Sequence, residues 1–174
     1  MNKKMLYIDF DGVILDTITA PYQQMQEMGI DLKSEAVGQF YQNYDFSQVV
    51  KDSNIINDSI NGLQRILDSD RFNVAILTHV TSLEEAVIKI KYIRKYFKDI
   101  TIIPCPKAIS KTKMIETKNA ILIDDYAGNL REWEKEGGIG IRFSTKRNGK
   151  GFIAIDHLDE ILDIGLDKNC THNS

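Results

Sequence analysis

The residue pattern predicts an α/β protein, an open parallel sheet with a small helical cap inserted after its first strand. Three observations carry that expectation. Apolar runs of strand length recur at about 4–9, 72–78, 100–103, 120–124 and 139–142. From residue 72 onward they alternate with helical periodicity, the pattern of right-handed βαβ units in a sheet covered on both faces. Residues 17–70 break that rhythm with no strand pattern, so they form the cap, while 1–16 and 71–174 form the core.

In order along the chain, the first run (Met5-Leu6-Tyr7-Ile8) ends in two carboxylates, Asp9 and Asp11, and Gly12 behind them lets the backbone turn sharply. In the cap, 21–28 and 60–67 read as helices, with Gly29, Gly38 and Asn/Asp-rich turns between them. The run over 72–77 leads into Thr78. Both Thr81-x-x-Glu84 and Ser82-x-x-Glu85 then fit a capping box opening a helix over about 82–97. Its expected buried stripe is Leu83, Ala86, Val87, Ile90, Ile93 and Phe97. A shorter helix is expected over about 109–118. Another, over about 127–136, turns Leu130 and Trp133 inward and stops at Gly137-Gly138. Between those two helices, the run over 120–123 ends in Asp124 and Asp125. A last helical segment over about 156–165 closes the core, and the polar tail over 167–174 is expected to fray.

Bulk properties narrow the function classes. With 174 residues, 43% apolar and 27% charged, the chain can bury a core without staples. A net charge of −3 offers no field for a nucleic-acid polymer or an anionic membrane. Cys105 and Cys170 lie too far apart for a zinc motif or a disulfide framework, which suits a cytoplasmic protein. Asp9 and Asp11 interrupt the apolar run after Met1-Asn2-Lys3-Lys4, so that run is no signal-peptide core, and no apolar stretch reaches membrane-spanning length.

Three strands thus deliver Asp/Asp, Thr and Asp/Asp to the carboxyl edge of the sheet, where open parallel sheets bind ligands. Singly, each has a plainer reading: a turn, a helix N-cap, a solvated acidic pair. Four carboxylates around one crevice repel one another unless a cation sits among them. Asp9, Asp124 and Asp125 offer hard oxygen ligands without nitrogen or sulfur, which favours Mg²⁺. A bound cation lets an anion approach, and Thr78 at a helix start suits a phosphate. One N-terminal acid can then attack phosphorus, and the other, kept neutral enough to donate a proton, can serve as acid and base. A lysine would offset the charge that builds up, with Lys107, Lys111 and Lys113 as candidates.

These residues resemble the four motifs of the haloacid dehalogenase (HAD) superfamily of Mg²⁺-dependent phosphohydrolases, in order: Asp9-Phe10-Asp11-Gly12-Val13; Ala75-Ile76-Leu77-Thr78; a lysine in the segment before the fourth strand; and Ile123-Asp124-Asp125-x-x-x-Asn129. The resemblance implies a Rossmann-like core with Asp9 as nucleophile and metal ligand. Asp11 would be the acid/base and lend its main-chain carbonyl to Mg²⁺. Thr78, His79 and a lysine would hold the phosphate, Lys111 being favoured because Ser110-Lys111 opens a helix, with Lys113 as rival. Asp124 would bind the metal directly and Asp125 through water. The short lid and the Leu-Ile-Asp-Asp ending are similar to the cytosolic 5′(3′)-deoxyribonucleotidase group, which implies a deoxynucleoside monophosphate as the small phosphorylated substrate. That group follows its motif-two Thr with Ser-Pro, where this chain has His79-Val80. Cap aromatics Tyr22, Phe40, Tyr41, Tyr44 and Phe46 could stack on a base or form the cap's own core.

Other readings are a phosphatase of a different small metabolite, a phosphotransferase or mutase, a catalytically silent module, and a signalling receiver domain. A receiver carries its acidic pair on the first strand and its phospho-acceptor on the third, opposite to the order here.

Overall fold

The computed structural model describes residues 3–166; the tail over 167–174, Cys170 included, lies outside the described residues. Among the described residues, six strands form one parallel sheet: β1 (Lys4–Ile8), β2 (Phe72–Val80), β3 (Thr101–Pro106), β4 (Ile121–Asp124), β5 (Ile139–Phe143) and β6 (Ile153–Ile155). Their order across the sheet is β3-β2-β1-β4-β5-β6. The chain runs outward from β1 to β3, then crosses back to lay β4 on the other side of β1. That reversal opens a crevice above the carboxyl ends of β1 and β4.

Side-chain alternation explains the two layers. Leu6 and Ile8 on β1, Ile76 on β2, and Ile121 and Ile123 on β4 point to one face. They pack there with Ile60, Leu63 and Ile66 of α3 (Ser59–Asp68) and Tyr92 and Ile93 of α4 (Leu83–Tyr96). Tyr7, Ala75, Leu77 and Leu122 point to the other, against Leu130 and Trp133 of α5 (Ala127–Lys135). Trp133 meets Tyr7 edge-on at 5.5 Å and donates its indole N–H to the Ala120 carbonyl. Each fully buried Leu or Ile contributes about 1.5–3 kcal/mol. A one-residue slip would send Leu6 and Ile8 to the wrong face, so the register is firmly set.

Within 17–70, α1 (Thr19–Glu27), α2 (Ala36–Gln42) and two 3₁₀ turns, Phe46–Gln48 and Asp52–Asn54, precede α3. Expected in the cap, α3 packs against the sheet instead, because Ile60, Leu63 and Ile66 bury there. Rings of Phe40, Tyr41, Tyr44 and Phe46 form a cluster of their own. No helix among the described residues is long and apolar enough to cross a membrane.

Several expectations need correction. The segment 109–118 holds only a 3₁₀ turn, Lys111–Lys113, capped by the Ser110 side chain. Its β-branched Ile109, Thr112, Ile115 and Thr117 disfavour a longer helix. The closing segment over 156–165 is likewise a 3₁₀ turn, Leu158–Leu162. The short edge strand β6 gave no periodic signal. On α4, Ala86, Ile93 and Phe97 are buried as expected, but Leu83 is 82% exposed and Val87 is exposed. Glu85 and Lys89 take buried positions instead, because they neutralise each other there.

Candidate active site

The site grows out of the strand ends. The ladder between β1 and β4 continues one residue past β1, where the Asp9 N–H donates to the Ile123 carbonyl at 2.9 Å. This sets Asp9 beside Asp124, the last residue of β4. The chain then turns: Ile14 N–H donates to the Phe10 carbonyl and Gly12 N–H to the Leu15 carbonyl. Gly12 has φ +70°, and a Cβ there would run into the Asp125 carboxylate. The glycine therefore serves both the left-handed turn and the close approach of the acidic pair.

Carboxylate oxygens of Asp9, Asp124 and Asp125 all lie within 4.8 Å of one another. Lys111 bridges two of them, its ammonium 3.0 Å from Asp9 Oδ1 and 2.7 Å from Asp124 Oδ2. Asp124 is further held by donation from Asn129 Nδ2 at 2.9 Å and from the Tyr126 N–H at 2.8 Å. Lys111 and Asp124 are buried, whereas Lys113 is exposed, which separates the two rival lysines. Burial, and beyond it the charges of Asp124, Asp11 and Asp125, push the Asp9 carboxyl up to about 8 against the pull of Lys111. Asp125 rises to about 7, through burial and then Asp124 and Asp11. One lysine thus does not balance the three acids.

Asp11 occupies a different setting. Its Oδ1 accepts from the Thr17 hydroxyl at 2.6 Å; its Oδ2 accepts from Lys89 Nζ at 2.5 Å and the Thr78 hydroxyl at 3.2 Å. Burial alone would raise this carboxyl, but Lys89, aided by Thr17 and Lys111, holds it below the usual range. This works against the expectation of an Asp11 kept neutral enough to donate a proton. Helical periodicity does not single out Lys89, since a charged residue on a helix ordinarily faces water.

A cavity of about 300 Å³ opens over these groups, lined by Asp9, Asp11, His79, Lys107, Asp125 and Asn129 among others. Tyr41 and Phe46 from the segment between β1 and β2, together with Ile18 and Tyr126, supply its apolar wall. Of the other cap aromatics, Phe40 and Tyr44 line a separate cavity with α1, and Tyr22 is 43% exposed. The His79 ring reaches the cavity but binds the Ile109 carbonyl at 3.0 Å; burial, then Lys111, keeps it readily neutral.

The open parallel sheet is a fold shared with solved HAD-superfamily hydrolases. Solved structures that share it include a HAD-superfamily hydrolase, subfamily IA, variant 1, from Geobacter sulfurreducens, with TM-score 0.58 and 18% identity over 93% of this chain and 99% of that one. A hydrolase from Pseudomonas syringae gives TM-score 0.59 and 12% identity, covering 92% of this chain and 97% of its own. D,D-heptose 1,7-bisphosphate phosphatase from B. bronchiseptica, solved with magnesium and phosphate, gives TM-score 0.56 and 11% identity over 92% of this chain and 96% of that one. No protein-family model and no curated protein matches the sequence.

Proposed function

We propose that the chain is a Mg²⁺-dependent phosphomonoesterase that works through an aspartyl-phosphate, with (deoxy)nucleoside monophosphates as its substrates. The observation that carries this reading is the buried Asp9 carboxylate, paired with Lys111 and gathered with Asp124 and Asp125 at the sheet's carboxyl edge. Those three carboxylates form an all-oxygen donor set suited to Mg²⁺. The raised Asp9 and Asp125 carboxyls fit it as well, since a cation would relieve their repulsion. Asp9, Asp124 and Asp125, with the Asp11 main-chain carbonyl, would hold the ion, which when bound offsets the charge of the phosphoryl group.

The chain's own groups divide the reaction. Asp9 attacks phosphorus, forming an acyl-phosphate bond as the ester P–O bond breaks. Asp11 gives a proton to the departing oxygen, then takes one from the water that attacks phosphorus and restores Asp9. Lys89 favours the ionised form of Asp11, while the negative phosphoryl oxygens of an arriving substrate act in the opposite sense, so Asp11 takes a proton from solvent before it gives one to the departing oxygen. Lys111 steadies the phosphoryl oxygens, and Thr78, which lies within β2 rather than at a helix start, would turn its hydroxyl from Asp11 to them; His79, neutral and bound to Ile109, supports the loop beside them.

The nucleotide assignment rests on the apolar wall. Tyr41 and Phe46 face the cavity that holds the acids, and a base stacked on such rings gains about 1–3 kcal/mol per ring. A cytoplasmic location accords with Cys105 as a free, buried thiol. Hydrolysis of p-nitrophenyl phosphate with and without Mg²⁺, by wild type and Asp9→Asn, tests the chemistry. Turnover that survives chelation or loss of Asp9 refutes it. A panel of nucleoside and sugar monophosphates tests the substrate; preference for sugar phosphates would remove the nucleotide assignment alone.

A further inference from the structure

Lys89 is a buried cation that the reaction above leaves without a task. It is 1% exposed, and its ammonium meets acceptors from three separate elements: Asp11 Oδ2 at 2.5 Å on the turn after β1, the His79 carbonyl at 2.9 Å on β2, and Glu85 Oε1 at 2.6 Å on α4. An ammonium has three protons, so all are engaged and none is aimed at the cavity. Glu85 is itself tied down, its Oε2 accepting from the Thr81 N–H and hydroxyl, both at 2.7 Å. The Asp11 side chain, by contrast, keeps 23% of its surface open and lines the cavity. The ammonium also lies 5.7 Å from the ring centre of Phe46, which lines that same cavity.

We propose that Lys89 is a positioning residue for Asp11, and that Glu85 holds Lys89 in place for that purpose. The inference rests on the phosphomonoesterase reading, in which Asp11 moves the protons. A buried ion pair is a poor device for stability alone, since well-packed apolar residues of similar volume serve as well or better. Here it locks Oδ2 against Lys89 and Thr78, while Oδ1 accepts from Thr17, which lines the cavity together with Asp11. Proton transfer demands such fixed geometry, because the donor must lie within hydrogen-bond reach of the departing oxygen.

Leaving-group dependence tests this role. A p-nitrophenolate departs without a proton, whereas the alkoxide of a nucleoside 5′-monophosphate needs one, and kcat/KM reports the step that releases it. Asp11→Asn sets the reference split between the two substrates. Lys89→Met, with its fold verified by circular dichroism, is expected to lower kcat/KM for the nucleotide about 100-fold and for p-nitrophenyl phosphate less than about 5-fold. Equal losses on both substrates, or no loss on either, overturn the proposal. Should Lys89→Met not fold, Glu85→Gln decides: a smaller split of the same sign supports it, and equal or absent losses overturn it. Absence of wild-type turnover, or full turnover by Asp9→Asn, refutes the phosphatase reading itself and takes the proposal with it.

Discussion

The Lys111 ammonium lies 2.7 Å from Oδ2 of Asp124, both groups withdrawn from water, and it reaches Asp9 from the same position. A lysine from a 3₁₀ turn thereby ties together the ends of β1 and β4, where the sheet's order reverses. Removing one partner from a buried charge pair costs about 3–5 kcal/mol, because the other charge is left uncompensated. Lys111→Met should therefore lower unfolding free energy in urea by about 3 kcal/mol and abolish turnover, while exposed Lys113→Met should change either by little. An active, fully stable Lys111→Met protein would remove Lys111 from the site.

Metal and pH are coupled with a definite sign. The folded Asp9 and Asp125 carboxyls sit at about 8 and about 7, above the ordinary unfolded range near 4. Between those limits the folded protein binds more protons than the unfolded chain, so metal-free stability falls as pH rises through that window. Asp11, held low, does not titrate there and pulls the other way only in stronger acid. A divalent cation competes with those same protons, so millimolar Mg²⁺ should raise Tm more near pH 8 than near pH 5.5. Thermal melts at the two pH values, with Mg²⁺ and with chelator, check this; an equal or reversed Mg²⁺ effect contradicts it.

Gly12→Ala probes the close approach of the acidic pair. Its left-handed backbone and the Asp125 carboxylate behind it leave no room for a side chain. Destabilisation of about 1–3 kcal/mol is expected, together with weaker Mg²⁺ stabilisation as Asp125 is pushed aside. Calorimetric titration of Mg²⁺ reads the second effect, which Gly29→Ala should not share, since nothing lies within 4 Å of a Cβ there.

On the proposed nucleotide reading, the aromatic wall of Tyr41 and Phe46 would set a preference for a base. Tyr41→Ala and Phe46→Ala should each raise KM for a nucleoside monophosphate about tenfold, the equivalent of about 1.4 kcal/mol, and leave methyl phosphate hydrolysis nearly unchanged. A uniform effect on both substrates would mean that the rings only support the cap.

Much of this molecule was legible in one dimension. Runs at 72–78, 120–124 and 139–142 correspond to β2, β4 and β5, because buried parallel strands are nearly continuous apolar segments. Asp9 and Asp124-Asp125 stood out because acids at the tips of such strands have no packing reason to be there. Elsewhere the one-dimensional signal failed. Three residues are too few for β6 to show a period, and the 109–118 segment lacks the propensity to continue past one turn.

Strand alternation and chain order, both local properties, suffice to place the layered sheet and the acids it carries to one edge. Only the tertiary structure decided that Lys111 rather than Lys113 turns inward, that Tyr41 and Phe46 reach the cavity, and that Lys89 grips Asp11. The physical reason is the same in each case. A charge on a helix or turn faces water unless packing brings an opposite charge from a distant element against it, and a ring turns inward only where a wall from elsewhere meets it.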